Sequence, residues 1–147
     1  MEDLIVRYVS RIVVPFVQLF GLYVVFHGHL SPGGGFSGGA IIGASMILYA
    51  LSFNLAAGTK KVSHDLSLIL ESSGGLIYAG VGLAAIFLGA NFLGNKVAGI
   101  PLGTPGNLFS SGTIMIITLG VGIKVASTMI TLFYSLIEGE QKTDEHC

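Results

Sequence analysis

The chain has 147 residues, of which 52% are hydrophobic and 10% charged, with a mean hydropathy of +0.80 and a net charge of −1. A soluble domain carries about 25% charged residues, so this composition excludes a soluble enzyme core and offers no basic surface for nucleic acid. The single cysteine, Cys147, excludes an intrachain disulfide framework, a thiolate metal site and an iron–sulfur centre within one copy.

Four nearly uncharged runs follow in order, roughly 9–27, 35–57, 66–91 and 112–137, each near or above the ~20 residues that a membrane-spanning helix needs. No run alternates with period two, so helices are the only spanning form available. The expectation is an all-α membrane protein, a single integral domain over residues 1–147 with four transmembrane helices, multi-pass in the cell membrane. Arg7 precedes the first run and Arg11 stands at its start, as they would in a secretory signal, but no small-x-small cleavage site follows and three further spans do, so the segment is expected to stay. The end segments are too short for a separate catalytic unit. Within this helix Gln18 is a lone polar group, expected to bond a helical neighbour.

The first connection, His27 to Gly39, is rich in glycine. Gly33-Gly34-Gly35-Phe36-Ser37-Gly38 formally matches G-x-G-x-x-G, but a dinucleotide fold needs a preceding strand and an acidic residue about 20 positions on. Here a membrane run precedes and Asn54 is the nearest polar candidate. No Gly-Lys-Ser/Thr phosphate loop occurs either. Pro32 is expected to fix a turn, and Gly35, Gly39 and Gly43 continue at spacing four into the second run, beside Ala40 and Ala44. Such a small-residue stripe lets membrane helices approach closely, either inside one four-helix subunit or against another subunit. His27 and His29, at the membrane boundary, suit a capping or interfacial role better than proton relay; with no acidic or cysteine ligand beside them they make no metal site.

An apolar helix, then Gly28-His29, two residues, Pro32-Gly33-Gly34-Gly35-Phe36, one residue and Gly38-Gly39 resembles the signature of the MnhB-type subunit of the multisubunit Mrp-type sodium/proton antiporters. The same MnhB-type domain recurs in related membrane-bound hydrogenase and sulfane-reductase complexes. The four-helix layout and a second turn, Gly103-Thr104-Pro105-Gly106-Asn107, extend the likeness over most of the chain. The resemblance implies a non-catalytic subunit of a cation/proton antiporter, without cofactor, that assembles with other hydrophobic subunits carrying the main antiport channels. The alternatives are the same module in a redox-driven complex, and a purely structural assembly subunit.

Basic residues outside the spans or at their edges are Arg7, Arg11, Lys60, Lys61, Lys96 and Lys142. All but Lys96 agree with both termini and the Asn54 to Asp65 loop lying in the cytoplasm. The glycine-rich turn and the Asn91 to Ser111 connection then face outward. Ser63 or Asp65 can cap the third helix and Ser110 or Ser111 the fourth, and Gly139 is placed just past the fourth helix's last apolar residues. His64 and His146 fall in segments without a motif, and the five tyrosines read as packing or interfacial anchors.

Beyond Arg11 at the start of the first run, only Glu71, in the third span, and Lys124, in the fourth, are firmly ionic residues within the runs. A charge at such depth costs about 2.5 to 3.5 kcal/mol at the bilayer centre, so it faces protein or water and is a functional hypothesis by default. Glu71 shares a helical face with Gly74, Gly75, Tyr78 and Gly82; Lys124 shares one with Gly120, Ser127, Thr128 and Thr131. The plain alternative for each charge is an ion pair or hydrogen bond that holds helices together. A rise of 1.5 Å per residue puts Glu71 about 9 Å and Lys124 about 20 Å from the inner helix ends, and side chains on antiparallel helices lean apart. Direct pairing is therefore not expected, and Glu71, Lys124, Ser127 and Thr128 become candidates for an ion path. Lys124 is the better candidate for proton handling, because an amine held away from bulk water can exchange its proton.

Overall fold

The computed structural model describes residues 2–30, 33–53, 63–94, 103 and 112–144. Four helices make it up: α1 (Glu2–Phe26), α2 (Gly34–Phe53), α3 (His64–Phe87) and α4 (Thr113–Asp144). All four contain a stretch long and apolar enough to cross a membrane, and no strand occurs among the described residues.

The helix ends differ from the apolar runs for local reasons. Hydropathy marks only what suits lipid, whereas a helix runs on as far as its backbone bonds do, and α1 and α4 continue through Glu2 to Tyr8 and Glu138 to Asp144 past the apolar runs. Gly139 therefore lies inside α4 and does not end it. Ser63 caps α3, its hydroxyl accepting from Leu66 N–H at 3.3 Å, and Asp65 complements the positive end of the helix dipole in the first turn. The far end of α3 stops at Phe87, earlier than Asn91, because Gly89 takes a left-handed φ of 78°. Gly89 N–H then bonds Ile86 C=O (2.9 Å) and Ala90 N–H bonds Ala85 C=O (3.0 Å), which closes the helix as a Schellman motif. Gly112, at φ 58°, stands before α4. Ser110, Ser111, Pro32, 54–62 and most of the Asn91 to Ser111 connection, including the turn from Thr104 to Asn107, lie outside the described residues.

The helices stand in the order α1, α2, α4, α3, and α1 also reaches α4. Paired positions give the directions. Ser10 of α1 bonds Ser52 of α2 (Oγ to Oγ 2.7 Å), while Gly21 lies against Gly38, so α1 and α2 are antiparallel. Gly35, Gly39 and Gly43 of α2 face Thr118, Gly122 and Ala126 of α4 in rising order, so α2 and α4 run parallel. Ser67 of α3 meets Ser127 and Thr131 of α4, whereas Gly74 meets Gly120 and Lys124, so α3 and α4 are antiparallel. The N-terminal end of α1 and the C-terminal end of α4 consequently share one end of the bundle.

Small residues make these interfaces. A Cβ on Gly35 would overlap the Thr118 carbonyl oxygen, and one on Gly38 would lie 2.8 Å from the Gly21 carbonyl oxygen. The stripe read from the sequence, Gly35, Gly39 and Gly43, is therefore used within the chain, against α4, while Gly38 packs on α1. Large side chains such as Phe16, Leu51, Leu76 and Phe87 point outward, as a surface bathed in lipid or covered by neighbours requires. Where the helices converge, Val25, Ile42, Leu70, Leu119, Ile123 and Ile130 line an apolar cavity of about 300 Å³.

Candidate ion-path site

The seam between α3 and α4 carries both intramembrane charges. In the antiparallel register, Glu71 falls between Ser67 and Gly74, and Lys124 between Gly120 and Ser127, so the two lie at nearly the same depth. This corrects the sequence expectation of a depth gap, which measured Lys124 from an inner end set at Ile137. In fact α4 continues well past the level of the first turn of α3, so distance from its own end overstates the depth of Lys124.

Lys124 is held in place by the absence of side chains opposite. A Cβ on Gly74 would lie 2.8 Å from Lys124 Cβ, so the lysine stem rests on bare helix backbone. Its Nζ ends 3.8 Å from where a Cβ of Gly75 would be. Glu71 sits one helical turn before Gly75, on the same face. No ion pair within 4.0 Å joins Glu71 and Lys124. Side chains tilt toward the N-terminus of their own helix, and because α3 and α4 are antiparallel, Glu71 leans to the terminus-bearing end and Lys124 away from it. In the isolated chain Lys124 is exposed and Glu71 half-buried, so neither charge is enclosed by this subunit alone.

Among the described residues, the serine and threonine hydroxyls of the seam lie on one side of the pair. Thr128 Oγ1 donates to Lys124 C=O (2.9 Å) and Ser127 Oγ to Ile123 C=O (3.0 Å), which leaves both oxygens as acceptors for water or a cation. One turn further, Ser67 Oγ donates to Ser127 C=O (3.1 Å) and therefore accepts from Thr131 Oγ1 at 2.7 Å. Toward the other end, the seam carries Gly120, Val121 and Ile117 from α4 with Ile77 and Val81 from α3. There Tyr78 meets Phe92 edge to face with centroids 6.1 Å apart, and the Phe92 ring lies directly on Gly82. The polar half faces the terminus-bearing end, and the aromatic pair stands toward the other end, against Gly82.

The glycine-rich turn is structural in its geometry. A Cβ on Gly28 would overlap Gly34 Cα and lie 2.9 Å from Thr118 Cγ2, and Gly34 takes a φ of 81° that favours glycine as the chain enters α2. His27 stacks on Tyr23 at 4.1 Å with Nδ1 3.0 Å from Tyr23 C=O. His29 is half-buried, Gly33 is exposed, and Phe36 is 70% exposed at the start of α2. Among the described residues no three His, Cys, Asp or Glu side chains gather as a metal site would require.

Sequence reading missed two features, and foresaw that Gln18 bonds a helical neighbour without naming the partner. The interhelical hydroxyl bonds Ser10–Ser52 and Ser67–Thr131 were signalled only by isolated hydroxyls in apolar runs. Gln18 gives its amide hydrogen to Met46 Sδ at 3.2 Å, a partner that only the α1–α2 register reveals. Pro15 lies inside α1, where its missing N–H leaves the Arg11 carbonyl without a helical donor.

The model of a family described as a domain related to the MnhB subunit of Na+/H+ antiporter matches residues 5–131. A protein of Staphylococcus haemolyticus (strain JCSC1435) named "Putative antiporter subunit mnhB2" is 33% identical over 139 residues, covering 95% of this chain and 97% of its own. A protein of the same name from Staphylococcus aureus (strain MRSA252) is 33% identical over 138 residues, covering 94% and 96%. The matched region runs from the first turns of α1 through the hydroxyl-bearing part of α4, and with it the chain belongs to the family of domains related to the MnhB subunit of Na+/H+ antiporters.

Proposed function

We propose that the chain is a non-catalytic membrane subunit of a multisubunit sodium/proton antiporter, that it assembles with other hydrophobic antiporter subunits, and that Glu71, Lys124, Ser127 and Thr128 line part of the ion path. The observation that carries this reading is the unneutralised Lys124 on an open flank of the α3–α4 seam, with hydroxyl oxygens on one side of it. A charge at that depth requires protein or water around it, and this chain covers it only in part. A neighbouring subunit completes the enclosure, and a polar strip continued across that interface conducts ions. The glycines from Gly28 to Gly43 set the close packing that holds the seam in place. Loop charges favour a cytoplasmic position for the end bearing both termini.

The test uses everted membrane vesicles containing the complete assembly. Glu71→Gln and Lys124→Met are each expected to lose sodium-dependent proton exchange while the same partner chains co-purify, as identified by mass spectrometry. Exchange at the wild-type level in both variants overturns the ion-path role, and loss of the partners instead assigns these residues to assembly.

A further inference from the structure

At the terminus-bearing end, α1 and α2 enclose a cleft that the ion-path reading does not use. Its mouth, about 220 Å³, is lined by Leu4, Arg7, Tyr8, Arg11 and Phe53. A second cavity of about 380 Å³ shares Arg11 and Phe53 with it and continues down to Val14, Gln18, Met46 and Tyr49. The two form one trench, with two guanidinium groups at the top and a mixed floor in which Gln18 and Tyr49 stand beside Val14, Pro15 and Met46. Arg7 and Arg11 are four residues apart on one helical face, with Cβ atoms about 5–6 Å apart, so both reach a single phosphate, and guanidinium forks match phosphate oxygens in pairs. Lower down, Tyr49 stacks on Phe53 (4.7 Å) and Gln18 is already bonded to Met46 Sδ, so ring faces and aliphatic carbon are available to a chain beside the polar atoms of the lining.

We infer that this trench binds one anionic phospholipid of the leaflet at the terminus-bearing end, its phosphate on Arg7 and Arg11 and an acyl chain between α1 and α2. Dimensions decide among occupants. The rise from Arg7 to Gln18 is about 16 Å, and half of a hydrocarbon core is about 15 Å, so the trench is one leaflet deep. A partner helix of that length and 10 Å diameter would fill about 1,200 Å³, about twice the roughly 220 and 380 Å³ of the two cavities together. The apolar cavity at the helix junction has room for a chain but no charged residue in its lining to hold a headgroup.

The experiment takes the complete assembly purified in mild detergent, counts retained phospholipid by native mass spectrometry, and follows thermal stability on adding phosphatidylglycerol, phosphatidylcholine or inorganic phosphate. One retained anionic lipid and stabilisation by phosphatidylglycerol alone are expected. The Arg7→Gln, Arg11→Gln double variant binds phosphatidylglycerol at least about tenfold more weakly, whereas Arg7→Lys, Arg11→Lys keeps most of the binding. Val14→Phe, which fills the trench and leaves the charges, also loses the lipid. Equal response to phosphatidylcholine, unchanged retention in the Gln double variant, or saturation by inorganic phosphate alone overturns the inference.

Discussion

Gly39 of α2 and Gly122 of α4 meet backbone to backbone: a Cβ on Gly39 would lie 2.5 Å from the Gly122 carbonyl oxygen and 3.0 Å from Val125 Cβ. Without a hydrophobic drive between helices in lipid, such contact is what holds the central pair of the bundle. Gly39→Ala is expected to push α2 from α4 and cost about 1–3 kcal/mol, the usual range for overpacking. Gly80→Ala is the control, because nothing lies within 4 Å of its added Cβ; it is expected to be neutral or stabilising by up to about 1 kcal/mol. Thermal unfolding midpoints in detergent compare the two, and equal loss in both variants would remove the packing explanation.

The hydroxyl pair Ser67–Thr131 ties α3 to α4 at 2.7 Å. Interhelical hydrogen bonds in membrane proteins average about 0.6 kcal/mol and reach about 1.7 kcal/mol. Ser67 also donates to Ser127 C=O and is buried, so Ser67→Ala is placed in the upper part of that range and Thr131→Val lower. A double-mutant cycle on unfolding free energy measures the coupling, and additive losses would mean that the hydroxyls do not act as a pair.

Much of this architecture was legible in the sequence, because length and apolar composition alone mark a span. Four runs predicted four helices, and the glycine-rich motif that resembles the MnhB-type antiporter subunit agrees with the family match over residues 5–131. What hydropathy could not reveal was which helices are neighbours. The row α1, α2, α4, α3 follows from where glycines let backbones touch, and a stripe such as Gly35, Gly39 and Gly43 reads the same whether it faces α4 or another subunit. The depth of Lys124 was misjudged for a related reason. The end of the fourth run at Ile137 reads as level with Asp65, whereas Ser67 stands opposite Ser127 and Thr131, so the run itself overshoots the first turn of α3, and only the α3–α4 register reveals that. The lean of Glu71 and Lys124, which rests only on Cβ direction in antiparallel helices, did not depend on either helix end.

Leu93 has a φ of 63° in the turn after α3, where Gly94 N–H bonds Asn91 C=O at 2.7 Å. It occupies the third position of that turn, a site that favours Gly or Asn, and the left-handed conformation costs an L-residue with a Cβ roughly 1–2 kcal/mol. Leu93→Gly is expected to stabilise the chain by up to about 1 kcal/mol, the gain being reduced by the greater freedom of glycine in the unfolded state. The neighbouring Phe92 stays on Gly82, so the aromatic pair with Tyr78 is kept. A raised thermal midpoint with unchanged ion exchange checks the expectation; a lowered midpoint would mean that the leucine side chain holds the turn by packing.

The one-sided polarity of the seam predicts one-sided access to Lys124. With Cys147 replaced by Ser, single cysteines at Thr128, Val121 and Ile117 are introduced in the assembled complex, and a charged, membrane-impermeant thiol reagent is applied to either face of sealed vesicles. Thr128→Cys lies beside the acceptor oxygens on the terminus-bearing side of Lys124, whereas Val121→Cys and Ile117→Cys lie toward the Tyr78–Phe92 pair. Only the first is expected to react, and only from the face on which native Cys147 reacts. Reaction at Ile117 from the opposite face would show a path open from that side. Protection at Thr128 together with exchange lost in Lys124→Met would leave Lys124 needed for transport but sealed from that aqueous phase by its neighbour. Labelling at Thr128 with exchange intact in Lys124→Met would instead give a hydrated strip that carries no essential ion.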